Sequence, residues 1–139
     1  MVTYSGGCHC GNISIGFETD KQIPDLATRF CTCTFCQKQN ARYASDPEGL
    51  IRLSYKNADD LVRYRFGTKQ ADFISCRACA VYVGAVASQN GEARMVLNIN
   101  TLDEGPTFQM PEDFDYDGEE PDARKTRWFT RWTPVVETQ

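Results

Sequence analysis

At 139 residues and 41% hydrophobic content, the chain is long enough to fold as one domain that buries about two-thirds of its unfolded surface. A net charge of −4 argues against a phosphate-backbone partner such as a nucleic acid. With no apolar run near ~18 residues, no membrane partner is expected either.

In chain order, Met1 to Gly7 lacks the basic and apolar regions of a signal peptide. The expected compartment is therefore cytoplasmic and reducing, which disfavours structural disulfides. A short strand begins at Thr3-Tyr4, and Ser5-Gly6-Gly7 turns into Cys8-His9-Cys10. Ile13, Ile15 and Phe17 alternate with Ser14 and Gly16, a strand with one buried face. Asp20 to Asp25 is a loop, and Ala27 to Phe30 runs extended into Cys31-Thr32-Cys33-Thr34-Phe35-Cys36. Gln37 to Asn40 is polar, a turn or a single helical turn. Further strands are predicted over Arg42 to Ala44, Leu50 to Tyr55, Leu61 to Phe66 and Ala71 to Ser75, the last leading into Cys76-Arg77-Ala78-Cys79. Val81 to Ala87 and Arg94 to Ile99 carry the strongest β signals, and Asn90-Gly91 between them is a hairpin turn. The body is mainly β, with a core over about residues 3–103. Residues 104–139 are expected to be an irregular arm, acidic as far as Glu120 and then basic and aromatic from Arg124 to Trp132. Trp128, Phe129 and Trp132 are expected to anchor this arm on the sheet, with a lid over the central cysteines or a dimer contact as the alternatives.

All seven cysteines fall in the three clusters. An odd total cannot pair completely within the chain, and short spacings let side chains converge as a tetrahedral zinc site requires. Four thiolates close a structural site, whereas three leave a position for water or substrate. Cys8, Cys10, Cys76 and Cys79 on one zinc, with Cys31, Cys33 and Cys36 on a second, open zinc, is the division favoured here. Spacing also admits the triad combined with one dyad cysteine, an iron–sulfur cluster, or redox and packing thiols. His9 is read as a spacer. Arg29, Lys38, Arg42 and Arg77 lie near the clusters in sequence and could offset thiolate charge or be ordinary surface cations.

Gly6-Gly7-Cys8-His9-Cys10-Gly11, then Cys31-x-Cys33-x-x-Cys36, then Cys76-x-x-Cys79 resembles the glutathione-dependent formaldehyde-activating enzyme (GFA) family, which includes the domain of centromere protein V. The resemblance extends from about Tyr4 to Asp103 and takes in Asn100-Thr101-Leu102-Asp103. It implies a GFA-like, mainly β zinc-binding fold of antiparallel sheets, with Cys8, Cys10, Cys76 and Cys79 as structural zinc ligands and Cys31, Cys33 and Cys36 as catalytic zinc ligands. It also implies a carbon–sulfur lyase acting on small-molecule thiol and aldehyde substrates of the S-hydroxymethylglutathione type. Ala80 stands where the family usually has Gly, and Lys38 matches a basic residue that usually follows the triad. The alternative is a non-catalytic interaction module with two structural metal sites. A homo-oligomer is compatible with either reading.

Overall fold

The computed structural model describes residues 1–108 and 112–139, so residues 109–111 of the acidic stretch lie outside the described part. Its strands are β1 (Val2–Gly7), β2 (Ile13–Thr19), β3 (Arg29–Cys31), β4 (Tyr43–Ala44), β5 (Leu50–Tyr55), β6 (Leu61–Tyr64), β7 (Asp72–Cys76), β8 (Tyr82–Gln89), β9 (Glu92–Asn98), β10 (Glu112–Phe114) and β11 (Thr133–Thr138). The α-helices are α1 (Thr34–Gln39) and α2 (Pro121–Arg131). No helix among the described residues is long and apolar enough to cross a membrane.

The mainly β architecture follows the sequence pattern. Ile13, Ile15 and Phe17 on β2 are buried while Ser14 points outward, as the alternation predicts. The β8–β9 hairpin closes at Asn90 and Gly91, whose φ angles of 53° and 79° are those of a two-residue primed turn.

β1, β2 and β5 form one antiparallel group, and β6-β7-β8-β9 a second. The C-terminal strand joins them. Thr133 and Pro134 pair antiparallel with β9, and Val135 to Thr138 then pair parallel with β5. β4 and β3 extend the second group beyond β9, and β10 pairs parallel with β3 at its edge.

The central sheet is covered on both faces. Val83, Val86, Met95 and Leu97 point into a core shared with Phe17, Ile51 and Leu53. Ala85, Ala87 and Val96 point the other way, under Trp128 and Trp132. Two buried faces explain why β8 reads as a continuous apolar run rather than an alternation.

The strand pairs within residues 3–103 are antiparallel as expected, and the expectation of an irregular arm is corrected here. Two of the strand pairs are parallel, and both use strands of the C-terminal segment. That segment holds an eleven-residue helix and the strand that links the sheets. Pro121 suits the first helical turn, and Trp128 and Trp132, four apart, bury on one face.

Candidate metal centres and the cavity beside one of them

The four-cysteine cluster is assembled from two turns. Cys8 and Cys10 lie between β1 and β2, while Cys76 ends β7 and Cys79 lies in the turn into β8. Each turn folds back on itself, with the Cys8 amide donating to the Ile13 carbonyl and the Cys76 amide to the Val81 carbonyl, both at 3.0 Å. Each also needs one residue in the left-handed region, and these are Gly11 at φ 87° and Ala80 at φ 67°. Ala80 thus holds a backbone conformation that favours glycine and carries the steric cost of its Cβ.

The sulfurs of this cluster lie within 4.8 Å of one another, with Cys8 to Cys10 at 3.7 Å and Cys10 to Cys76 at 3.6 Å. A tetrahedral ion with zinc–sulfur bonds of about 2.3 Å spaces its ligands by roughly 3.8 Å, so the fit is close. The Ile13 amide donates to Cys8 Sγ at 3.2 Å. Burial pushes the Cys79 thiol up. The backbone amides of Cys10 and Val81 and the thiols of Cys76 and Cys8 outweigh that effect and bring it down to about 6.

The triad is more local. Cys31 ends β3, Cys33 caps the start of α1, and Cys36 lies in its first turn. The Cys36 amide donates to Cys33 Sγ at 3.4 Å, and the helix stops at Asn40, which adopts φ 51°. The three sulfurs also lie within 4.8 Å of one another. Hydrogen bonds from Cys31 and Cys36 pull the Cys33 thiol down to about 2, and the same contacts push Cys36 above the ordinary thiol range. Three thiol sulfurs converging in this way fit a thiophilic ion such as zinc.

A cavity of about 550 Å³ opens beside the triad: Cys31, Cys33 and Cys36 line it, and none of the other four cysteines does. Its walls come from three parts of the chain. Phe66 and Phe73 form an aromatic side, while Ala85 and Val96 form the floor. The C-terminal segment contributes Tyr116, Arg124, Arg127, Trp128 and Trp132. The two indoles stack at 4.6 Å, and the Arg127 guanidinium lies 3.6 Å above the Tyr116 ring while pairing with Glu119.

Of the cations named from sequence, Arg29 alone faces this cavity. It donates to Ser45 Oγ at 3.0 Å and has no carboxylate partner among the described residues. Its pKa is lowered, chiefly by burial and further by Arg127 and Arg131. Arg42 instead holds Asn100 and the Gly105 carbonyl, and Arg77 holds the Leu61 carbonyl. Lys38 and His9 are exposed.

Sequence reasoning missed two residues at this site. Tyr43 Oη lies 3.1 Å from Cys36 Sγ, and Tyr82 Oη lies 2.7 Å from Tyr43 Oη. Both phenols are held well above their ordinary pKa, first by burial. Nothing in the local sequence distinguishes them from ordinary strand tyrosines.

Fold and donor sets define a mainly β protein with two cysteine clusters able to hold metal ions. Residues 3–116 match the profile of the glutathione-dependent formaldehyde-activating enzyme family, and the chain belongs to that family. It is also similar to the crystal structure of a Rhodobacter sphaeroides protein from structural genomics. The two share 27% identity over 79% of this chain and 99% of the other, with a TM-score of 0.62.

Proposed function

We propose that the protein is a zinc-dependent carbon–sulfur lyase acting on adducts of a thiol with an aldehyde, of the S-hydroxymethylglutathione type. Cys8, Cys10, Cys76 and Cys79 hold a structural zinc in this reading, and Cys31, Cys33 and Cys36 hold a second ion at the reaction site. The observation that carries the reading is the exclusive opening of the triad onto the cavity. Zinc there supplies Lewis acidity toward a thiol or a carbonyl oxygen.

The chain's own residues supply the rest. Phe66, Phe73, Trp128 and Trp132 give the cavity apolar surface that excludes water and accommodates carbon chains. Arg29 stands two residues before Cys31 on the same short strand, so both side chains belong to one face. Its free N–H groups suit an anionic group on the thiol partner. In the lyase direction the carbon–sulfur bond breaks, its electron pair stays on sulfur, and the adduct's hydroxyl oxygen forms the carbonyl as its proton leaves.

Equilibration of glutathione with formaldehyde, followed by proton NMR, tests the proposal. The zinc-loaded protein should accelerate adduct formation and breakdown above the uncatalysed rate, and Cys33→Ser should not. Equal rates with and without the wild-type protein, repeated with other small thiol–aldehyde pairs, would leave the non-catalytic module as the better reading.

A further inference from the structure

Cys36 is the buried member of the triad, and it ends a hydrogen-bonded line that runs through Tyr43, in the cavity wall, to the buried Tyr82. Tyr43 Oη contacts its sulfur at 3.1 Å and Tyr82 Oη at 2.7 Å. Both rings are fixed. The Asn98 side-chain amide donates to the Tyr82 carbonyl at 2.9 Å, and Tyr43 pairs with Asn98 across β4 and β9. Phe35 meets the Tyr82 ring edge-on at 5.1 Å.

Proton accounting gives the line a direction. Suppose Cys36 donated a proton to Tyr43, and Tyr43 in turn donated to Tyr82. The Tyr82 proton would then point into the core with no acceptor among the described residues, and a buried donor left unmade costs about 1–3 kcal/mol. The opposite direction uses both hydroxyl protons, Tyr82 donating to Tyr43 and Tyr43 to the sulfur. That arrangement requires Cys36 to accept, as a ligand thiolate does.

We infer that Tyr43 and Tyr82 are positioning residues for the triad's metal ion, a relay in which Tyr82 orients Tyr43 and Tyr43 donates a hydrogen bond to Cys36 Sγ. The inference rests on the proposed metal occupancy of the triad. Its consequence is asymmetry. Cys31 and Cys33 have no hydroxyl donor among the described residues, Cys33 Sγ accepting instead from the Cys36 amide at 3.4 Å, so the phenolic hydrogen bond belongs to Cys36 alone. Three unmodified thiolates would give a divalent ion a net charge of −1 and make it a poor Lewis acid. Weakening one donor restores some electrophilicity on the side facing the cavity.

Cobalt(II) substitution reads this directly. The sulfur-to-cobalt charge-transfer band of the triad is obtained by subtracting the spectrum of Cys33→Ser from that of the protein with its triad intact. Tyr43→Phe should shift this difference band to longer wavelength, because a sulfur without the hydrogen bond gives up charge more readily. Tyr82→Phe, which keeps the Tyr43 hydroxyl but releases its orientation, should shift it less. Zinc affinity of the triad, measured against a chelator, should fall by about 10–100-fold in Tyr43→Phe. A flat wild-type difference spectrum would remove the metal from the triad and the relay with it. A band present but unmoved in both tyrosine variants would overturn the relay alone, since a purely structural role lowers thermal stability without altering the sulfur's electronics. If Tyr43→Phe fails to fold, Tyr82→Phe decides between the two by the same band.

Discussion

The two cysteine clusters use the same side chain in opposite ways. Cys10 and Cys76 touch across a sequence separation of 66 residues, so an ion on the first cluster closes a long loop and ties the β1–β2 turn to the β7–β8 turn. The triad spans one turn between β3 and α1 and closes no long loop. Under the proposed occupancy, metal binding at the first site would appear as folding free energy, because the ligands are dispersed in the unfolded chain. At the second site the β core already brings the three sulfurs together beside the cavity, where a bound ion would face it. In the proposed reading the long-range ligand set suits a structural ion, whereas the local set beside the cavity suits an ion available for chemistry.

The largest expected effect follows from that contrast. Cys10→Ser or Cys79→Ser should lose the structural ion and with it on the order of 10 kcal/mol, leaving an insoluble or largely unfolded protein. Circular dichroism and metal content of the soluble fraction check this. An unchanged melting temperature in either variant would dissolve the pairing of the two turns.

Cys33→Ser should cost at most a few kcal/mol and abolish the accelerated adduct exchange. A collapse as complete as that of the Cys10 variant would make the triad structural too.

Arg29→Met sharpens the difference on the cavity side. Losing one charge-assisted contact of about 1.5–3 kcal/mol should raise KM about tenfold or more for a carboxylate-bearing thiol. KM for an uncharged thiol such as 2-mercaptoethanol should be little changed. Equal effects on both thiols would mean that Arg29 only shapes the wall.

The smallest effect concerns Ala80. Because its φ of 67° falls where Cβ crowds the following carbonyl, Ala80→Gly should raise stability by about 0.5–1 kcal/mol after the entropy of the added glycine is counted. Thermal melts of the zinc-loaded protein read this difference. No rise, or a fall, would show that the turn tolerates Ala without strain.

How much of this was legible depends on range. The alternation of Ile13, Ile15 and Phe17 and the Asn90-Gly91 turn are local signals, and local physics makes them. The division of cysteines into four and three could be argued from coordination number alone, and the structure brings the sulfurs together in those two groups. The contact of Tyr82 with Tyr43 joins residues 39 apart on different strands, and no spacing rule reaches it. The parallel pairing of Val135 with Ile51 is likewise a product of the assembled sheet. Helix α2 could have been found. Pro121, the absence of Gly or Pro through Arg131, and the spacing of Trp128 and Trp132 all mark it, but the charge-rich composition masked the pattern.

Zinc per chain, measured by mass spectrometry of metal content on protein purified under reducing conditions, tests the central contrast most directly. Two zinc ions in the wild type, and one in a folded Cys33→Ser variant, are expected. A single zinc in both, with the fold intact, would contradict the account by showing that the triad facing the cavity holds no ion.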